Sequence, residues 1–346
     1  MTIVCPTPVA AIDRVQLGHG SGGKMSAALL RERFLPAFRN DILAQLGDAA
    51  IIDVAGQSLA ISTDTFVVQP LEFPGGNIGS LAVHGTVNDL GMMGADPRWL
   101  SAGFVLEEGL PLEVLDRVVH AMAAAAQEAG VLLVTGDTKV VERGKADGIF
   151  INTTGVGVRY ADFAPAPPRA QPGDAVIVSG LIGQHGIAIM SAREGLTFES
   201  EVMSDSAALT PLVRALRQRV GDGVHTLRDP TRGGLASALN EIAVAAGVGI
   251  MLEETMVPVP APVSAACEML GFDPLYVANE GVLVAFIAES CADDAVKALR
   301  AHPLGRAATQ IGRCVREHPG LVALHTGVGG TRVVDMLPGD QLPRIC

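Results

Sequence analysis

A proline-rich segment in the middle of the chain constrains its fold more strongly than any other feature. Residues 163–173 read Phe-Ala-Pro-Ala-Pro-Pro-Arg-Ala-Gln-Pro-Gly. Proline fixes one backbone angle and lacks an N–H donor, so this segment cannot continue a helix or a central strand. The chain has 346 residues, which is long for a single hydrophobic core. We therefore predict two folding units joined by a linker at residues 161–173.

Both halves alternate between short apolar runs and stretches with helical spacing. In the first half these patterns predict helices at 25–38, 77–93 and 112–129 and strands at 49–54, 58–63, 99–106, 131–141 and 149–158. In the second half they predict strands at 175–179, 249–252 and 282–288 and helices at 233–246 and 292–300. This alternation is typical of α/β domains.

The predicted organisation has five segments. They are a glycine-rich arm and helix (1–40), an α/β domain (41–160), the linker (161–173), a second α/β domain (174–335) and a mobile tail (336–346).

Composition excludes several classes of function. The net charge is −12, from 25 basic and 37 acidic residues, which argues against a nucleic-acid surface but not against nucleotide binding. The longest apolar stretch, 118–134, contains His120, Gln127 and Glu128 and is too interrupted for a membrane span.

The N-terminus and the cysteines favour a reducing compartment. The first residues lack the pattern of a signal peptide, and prolines at positions 6 and 8 interrupt them. The cysteines form no Cys-x-x-Cys pair; they are Cys5, Cys267, Cys291, Cys314 and Cys346. An odd, scattered set in a chain of this length predicts a cytoplasmic protein without structural disulfides.

The glycine-rich loop 18–24 resembles two phosphate-binding motifs without matching either context. Its glycines fit G-x-G-x-x-G and the first part of a P-loop, but Met25 stands where a P-loop needs Ser or Thr, and no strong strand precedes the loop. Its N–H groups and the helix that follows nevertheless favour phosphate contact at Gly22, Gly23 and Lys24 over a flexible arm.

A second loop, 228–234, opens the predicted helix at Gly233. It contains two arginines and paired glycines. One interpretation is anion binding through Asp229, Thr231, Gly233 and Gly234. The other is an ordinary capping turn with Asp229 or Thr231 as the cap, and the two are equally compatible with the sequence.

Three aspartates border apolar runs: Asp64, Asp89 and Asp137. Each alone is typical of a cap or a turn. Together with two phosphate-type loops they predict a Mg²⁺-nucleotide site, because Mg²⁺ prefers carboxylate and phosphate oxygens. The histidines show no paired spacing and the cysteines no cluster, so a zinc site is not expected.

Three further positions give weaker signals. Glu280 precedes an apolar run and is either a turn carboxylate or a general base. His84 lies one helical turn before Asn88 and faces the same side. Cys346 ends the chain, and a terminal cysteine is either part of a frayed end or a nucleophile on a tether.

Six motifs, in this order along the chain, resemble those of the HypE family of hydrogenase maturation proteins. They are His19–Lys24, Ser62–Thr65, Val87–Gly91, Thr135–Lys139, Asp229–Gly234 and the ending Pro343-Arg344-Ile345-Cys346. The middle motifs also occur, more loosely, in aminoimidazole ribonucleotide synthetase, selenophosphate synthetase and thiamine-monophosphate kinase. The terminal Pro-Arg-Ile-Cys distinguishes the HypE family from these relatives.

The resemblance implies a two-domain PurM-like α/β fold. Its N-terminal domain would dimerise through its sheet, ATP would lie between the domains and partly in the dimer groove, and the C-terminal tail would be flexible. It also implies three kinds of partner: a second copy of the chain, the carbamoyltransferase HypF and the iron-carrying HypC–HypD complex.

The resemblance further implies a reaction. HypF would transfer a carbamoyl group to Cys346, and ATP would drive dehydration of the resulting S-carboxamide to an S-cyanide, which supplies cyanide to the iron of [NiFe]-hydrogenase. In this scheme Asp64, Asp89 and Asp137 hold Mg²⁺, Lys139 and Lys24 add positive charge, Asn88 belongs to the nucleotide site and Glu280 is the candidate base.

Two alternatives stay open at this point. One is another ATP-dependent synthetase or kinase of the same superfamily, which would not need Cys346. The other is a nucleotide-dependent scaffold whose tail only docks a partner.

Overall fold

The computed structural model describes residues 14–20, 22–38, 40–195, 202–337, 339, 342 and 344–346. The beginning of the predicted arm, including Cys5, and Ser21 and Pro343 of the quoted motifs lie outside these residues. Within the described part, no helix has the length and apolar character needed to cross a membrane.

The elements of the first half follow the predicted alternation closely. They are α1 (Lys24–Leu29), a π-helical turn (Leu30–Phe34), α2 (Leu35–Phe38), β1 (Ala50–Val54), β2 (Gln57–Phe66), β3 (Glu72–Phe73), β4 (Gly76–Asn77), α3 (Ile78–Met92), β5 (Ala95–Glu107), α4 (Leu112–Ala129), β6 (Leu132–Val141) and β7 (Ile149–Arg159). The predicted helix 112–129 is confirmed at both ends, because Pro111 precedes it and Gly130 ends it in the left-handed conformation at φ 72°.

The first sheet has the strand order β1-β2-β7-β5-β6. Neighbouring strands are antiparallel except β5 and β6, which run parallel because α4 connects them as a crossover. One face packs under α3, where Ala60, Phe66 and Ile151 are buried. No described helix covers the opposite face, which carries Leu59, Ile61 and Val156.

Helix α3 lies between the two halves of the molecule, and this explains why almost all of its residues are buried. It begins with a capping box: the Asn77 side chain accepts hydrogen bonds from Gly79 and Ser80 N–H, and Ser80 Oγ accepts from Asn77 N–H. Because it is enclosed on all sides, α3 can place polar side chains at the boundary between the domains.

The second half builds a larger sheet. Its elements are β8 (Ala175–Val178), α5 (Gln184–Glu194), α6 (Thr210–Arg219), β9 (Val224–Arg228), α7 (Gly234–Ala246), β10 (Gly249–Glu253), α8 (Ala261–Leu270), β11 (Val284–Ile287), α9 (Ala292–Arg300), β12 (Thr309–Val315), β13 (Val322–His325) and β14 (Thr331–Val333). The strand order is β14-β13-β10-β12-β8-β11-β9, antiparallel except between β10 and β13.

Both faces of the second sheet are covered. Helix α7 packs on the face that carries Val176 and Val284. Helices α6 and α9 pack on the face that carries Ile177 and Ala285. This two-sided burial explains the continuous apolar runs of β8 and β11.

Candidate active site

Three aspartates from distant parts of the chain meet where the two halves touch. Asp48 precedes β1, Asp89 lies in α3 and Asp229 follows β9. One carboxylate oxygen from each lies within 4.8 Å of the others. Because Asp229 comes from the second half, both domains are needed to form this acidic cluster.

The electrostatics of the acidic cluster suit a divalent cation. Burial raises the pKa of Asp48 to about 7; Arg228 opposes this, while Asp229 and Glu241 add to it. Burial likewise raises the pKa of Asp229 to about 6, and burial together with the neighbouring aspartates raises the pKa of Asp89 well above its usual value. Oδ2 of Asp48 and Oδ2 of Asp229 are buried without a hydrogen-bond partner among the described residues. Unpaired hard oxygens in a buried negative site are what Mg²⁺ would satisfy.

The acidic cluster differs from the aspartates predicted to bind metal. Asp89 is common to both sets, and Asp64 is near enough for its charge to raise the pKa of Asp89. In the single chain Asp137 lies elsewhere: it is exposed on β6 and paired with Lys139 at 2.5 Å. The sequence reasoning missed Asp48, whose only signal is an acidic residue before an apolar run.

Cys346 lies in a cleft of about 150 Å³. Its walls come from the glycine-rich arm, the end of β2, the 228–234 loop and the tail, represented by Gly23, Thr65, Gly233 and Ile345. The tail is docked, with Leu342 and Ile345 buried. The structure therefore gives the tail a defined seat, and its mobility stays a prediction.

Main-chain hydrogen bonds hold the tail in that seat. Val67 N–H donates to the Cys346 oxygen at 3.1 Å, and Gln69 N–H donates to the Arg344 carbonyl at 3.2 Å. This is an antiparallel register between residues 67–69 and 344–346. The side chain of Arg344 reinforces it by pairing with Asp147 and donating to the Val67 carbonyl.

Arg232 connects the thiol cleft to a second cleft. Negative charge at Cys346 is the main cause that raises the pKa of Arg232, and the nearby carboxylates add to it. The second cleft lies beside the acidic cluster and contains Arg228, Asp229 and Thr231. Arg232 and Ser237 line both clefts. Ser237 Oγ is buried without a hydrogen-bond partner in the described part of the chain, so it is available to a bound group.

The glycines of both loops allow close backbone approach. Gly22 has φ +77° and packs on Arg232, and a Cβ added to it would lie only 2.9 Å from the Arg232 side chain. A Cβ on Gly233, at φ +75°, would lie 2.2 Å from Ser237 Oγ, and Gly234 is equally enclosed, near the Leu275 carbonyl. Larger residues at these glycines would displace Arg232 or Ser237, which line both clefts, or push the neighbouring backbone away.

The glycine-rich arm also touches the start of the tail. Lys24 Nζ lies 2.5 Å from Asp335 Oδ2, and Lys24 N–H donates to the Leu337 carbonyl at 2.9 Å. A Cβ on Gly23 would lie 2.5 Å from that same carbonyl. Lys24 therefore anchors the arm to the tail here, while its predicted contact with phosphate stays a prediction.

Glu280 is buried near Arg232, which lines both clefts. Burial, followed by the charges of Asp229, Asp64 and Asp205, raises its pKa well above the usual value, while Arg232 opposes the shift. Asn88 holds this region together: its side chain donates to the Ala207 carbonyl at 3.0 Å and accepts from Leu209 N–H at 2.8 Å. In this structure Asn88 therefore joins the domains.

His84 does lie near Asn88, as its spacing predicts. Its Nδ1 is 2.9 Å from Ser206 Oγ, and its buried Nε2 has no hydrogen-bond partner among the described residues. Burial lowers the pKa of His84 to about 4, so the ring is neutral at physiological pH.

Comparison with known proteins identifies the family. Residues 46–159 match the N-terminal domain, and residues 171–323 the C-terminal domain, of AIR synthase related proteins. The carbamoyl dehydratase HypE of Cupriavidus necator is 55% identical over 334 residues, which cover 96% of this chain and 95% of that protein.

Two solved structures are also similar. A crystal structure of a HypE–HypF complex superimposes with a TM-score of 0.85 at 46% identity, covering 90% of this chain and 100% of that one. HypE in complex with ATP gives a TM-score of 0.81 at 51% identity, covering 96% of this chain and 100% of that one. The chain therefore belongs to the AIR synthase related proteins and, within them, to the HypE carbamoyl dehydratases.

Proposed function

We propose that this carbamoyl dehydratase uses ATP to convert an S-carboxamide on Cys346 into an S-cyanide for the maturation of [NiFe]-hydrogenase. One observation carries the proposal: the cleft that holds Cys346 shares Arg232 and Ser237 with the arginine-lined cleft beside the acidic cluster. A carbamoyl group on the sulfur and a phosphoryl group held by the arginines would therefore meet at the shared wall.

The amide oxygen has to contact the γ-phosphoryl group because an amide oxygen is a poor leaving group until it is phosphorylated. The amide oxygen attacks the γ-phosphorus, and ADP leaves. Loss of the nitrogen-bound protons and cleavage of the C–O bond then give the nitrile and inorganic phosphate. Arg232, on the wall that the two clefts share, would meet the negative charge that develops on the transferring phosphoryl group, and a preorganised cation there would stabilise the transition state.

Glu280 is the base we propose for the amide protons. A carboxylate whose pKa is raised by burial holds a proton more strongly than an exposed one, which suits proton abstraction near neutral pH. The hydrogen bonds of Asp205 to Glu280 N–H and Gly281 N–H, both 3.2 Å, fix the loop that carries this base.

Asp48, Asp89 and Asp229 would hold Mg²⁺, with Asp64 close by. The ion would neutralise charge on the phosphates of ATP. Two Oδ2 atoms in the acidic cluster have no hydrogen-bond partner among the described residues, which supports this assignment.

We also propose a homodimer formed through the first sheet. No helix of the described chain covers the face opposite α3, and β6 is exposed along its length, with Leu132 65% and Val140 67% exposed. Asp137 and Lys139 lie on this strand, so a dimer would carry their side chains toward the partner subunit, where we place their predicted roles in metal binding and catalysis.

Sedimentation velocity tests the dimer. Val156→Lys, on the uncovered face, should shift the protein toward the monomer, because a buried unpaired charge is costly. Val328→Lys, in a turn of the second domain where Val328 is 97% exposed, is the matched control. A dimer unaffected by Val156→Lys would contradict the proposed interface.

HypF and the HypC–HypD complex are the partners that we propose, and the position of the thiol requires the tail to move for each. Cys346 is seated in its cleft, so transfer of the carbamoyl group by HypF requires the tail to leave it, and delivery of cyanide to a HypC–HypD complex requires a second departure. The reaction consumes ATP and needs a reduced thiol, so we place it in the cytoplasm.

Mass spectrometry tests the function. Incubation with HypF, a carbamoyl donor and ATP should add a carbamoyl group to Cys346, followed by loss of one water. Cys346→Ser should show neither change. If Cys346→Ser kept full ATP-dependent activity, the protein would instead be a synthetase or kinase of the superfamily. An unmodified Cys346 in an active complex would indicate a scaffold.

A further inference from the structure

A buried histidine contacts the residue next to the carrier cysteine. His185, in the first turn of α5, is fully buried, and its Nε2 lies 2.7 Å from the Ile345 carbonyl oxygen. On the other side of the ring, Nδ1 lies 2.8 Å from Ser204 Oγ. The sequence reasoning gave His185 no role, because a lone histidine in a helix has no distinguishing pattern.

The hydrogen-bond network assigns the tautomer of His185. A carbonyl oxygen only accepts, so Nε2 must carry the hydrogen and donate to Ile345. Nδ1 then accepts from the Ser204 hydroxyl, whose oxygen in turn accepts from Ser206 N–H at 3.1 Å. Burial lowers the pKa of His185 to about 4, which keeps the ring in this neutral form at physiological pH.

The contact completes a set of main-chain bonds at the end of the tail. The Arg344 carbonyl accepts from Gln69 N–H and from Arg193 Nη2 at 2.7 Å. The Ile345 carbonyl accepts from His185, and the Cys346 oxygen accepts from Val67 N–H. Each of the last three residues is thus held through its main chain, while Cys346 lines the cleft.

Asp205 links this seat to the candidate base. Its carboxylate accepts from the backbone N–H of Glu280, Gly281 and His185. The helix start that presents His185 and the loop that presents Glu280 therefore share one anchor. A shift of either element would change the distance between the tail and the base.

We propose that His185 is a positioning residue for dehydration: its Nε2–H fixes the Ile345 carbonyl so that the carbamoyl group on Cys346 is presented to the phosphoryl group and to Glu280. This inference rests on the proposed function. Transfer of the carbamoyl group from HypF takes place with the tail out of the cleft, so it does not need His185.

Two substitutions of His185 separate the effect of its hydrogen-bond donor from the effect of its side-chain volume. His185→Leu removes the donor and keeps an apolar side chain of similar size. His185→Gln retains an N–H₂ donor at the position of Nε2 and should recover much of the lost rate. His225→Leu, which removes a mostly buried histidine paired with Asp174 in the second domain, is the control for loss of a histidine elsewhere.

Three measurements are made on each full-length variant. Carbamoylation of Cys346 by HypF, followed by mass spectrometry, should reach the wild-type extent and be no slower than in the wild type, because it takes place with the tail out of the cleft. Single-turnover dehydration after addition of ATP should slow roughly 100-fold in His185→Leu, as expected when a reacting group is displaced by about 1 Å. Alkylation of Cys346, followed in the C-terminal peptide, should become roughly five- to tenfold faster, as expected when one hydrogen bond no longer holds the tail.

The outcomes separate this inference from the proposed function. The positioning role predicts four results together. In His185→Leu dehydration is slow, carbamoylation is not slowed and alkylation is faster, and His185→Gln recovers much of the lost rate. The positioning role is overturned if His185→Leu loses carbamoylation and dehydration equally, or if it dehydrates and is alkylated at wild-type rates. A wild-type protein that is carbamoylated and never loses water overturns the proposed function itself.

Discussion

Glu280 shows how burial can adjust a single carboxyl group to a task. An exposed glutamate is a weak base at neutral pH, whereas Glu280 is buried among Asp64, Asp205 and Asp229, all of which raise its pKa. The same surroundings make its protonation sensitive to pH in a range where exposed carboxylates do not titrate.

The first prediction concerns Glu280→Gln. The wild-type dehydration rate should fall as the pH decreases through the raised pKa of Glu280, because the protonated acid cannot accept a proton. The variant should dehydrate roughly 10²- to 10⁴-fold more slowly, and this limb of the pH–rate profile should disappear. Glu128→Gln, on the exposed face of α4, is the control. A variant with the wild-type profile would assign the base to another group.

Asp89 is the predicted metal ligand that also belongs to the acidic cluster of the structure. Ser62 Oγ donates to its Oδ2 at 2.6 Å, which orients the carboxylate. Hydrogen bonds of this kind commonly hold metal-ligating carboxylates in place.

The second prediction is that Asp89→Asn loses dehydration but keeps carbamoylation of Cys346. The amide retains the shape of the carboxylate without its charge, so cation binding should weaken and the rate should drop at least roughly 100-fold. The matched control is Asp53→Asn on the exposed side of β1. Rates are compared over a Mg²⁺ titration. Loss of both reactions in Asp89→Asn would point to misfolding instead.

Among the secondary-structure elements, helix α7 shows how the two ends of one helix can differ in function. Glycines in the left-handed conformation flank it, Gly233 at φ +75° and Gly247 at φ +67°. The two glycines differ in the room available for a side chain: a Cβ on Gly247 would meet nothing within 4 Å, whereas one on Gly233 would meet Ser237 Oγ at 2.2 Å. The two glycines therefore form a matched pair for mutation.

The third prediction compares Gly247→Ala with Gly233→Ala. Both should lose about 1 kcal/mol of folding free energy from the left-handed backbone. Gly233→Ala should lose more and should also weaken nucleotide binding, because the methyl group displaces Ser237 at the wall of both clefts. Chemical denaturation and calorimetric titration with ATP measure the two effects. Equal behaviour of the variants would argue against a ligand at this helix start.

Many elements were predictable because their signal is local. Helix α4 was predicted residue for residue from its periodicity, and α3 and α7 to within one residue at their ends. The strand predicted at 58–63 is longer, Gln57–Phe66, because pairing with β7 extends it through Ser62-Thr63-Asp64-Thr65, whose polar residues weaken the apolar pattern.

At the scale of the whole molecule, the acidic cluster joins the two domains. Asp48 and Asp89 belong to the first half and Asp229 to the second, and Arg228 bridges them by pairing with Asp48 at 2.6 Å and with Glu241 at 2.6 Å. A bound cation should therefore stabilise the domain arrangement as well as the site.

The fourth prediction follows from the raised pKa values of Asp48, about 7, and Asp229, about 6. Between the unfolded value near 4 and these folded values, the folded state binds more protons, so these groups make stability fall as the pH rises through this window. The buried His84 and His185, each with a pKa lowered to about 4, act in the opposite direction between pH 4 and their usual 6.5.

Mg²⁺ should therefore raise the melting temperature more at pH 7.5 than at pH 5.5, because protons compete for the same oxygens at the lower pH. Differential scanning calorimetry with and without Mg²⁺ measures the difference. Asp48→Asn should reduce the effect at pH 7.5, and Asp53→Asn should not. A Mg²⁺ effect that is independent of pH would place the cation elsewhere.

Local patterns in the chain were enough to predict the two α/β halves, the helices and most strands of the first half, and the family, because periodicity, turn residues and motifs are properties of short segments. In the second half they predicted β8, β10, β11, α7 and α9 and missed the other elements named above. Only the packed chain shows which carboxylates meet: it places Asp48 with Asp89 and Asp229 and leaves Asp137 on an exposed strand. It also seats the tail against Val67 and gives His185 a partner in Ile345. These contacts join residues far apart in sequence, and they depend on how α3 and the second sheet pack, which no local pattern encodes.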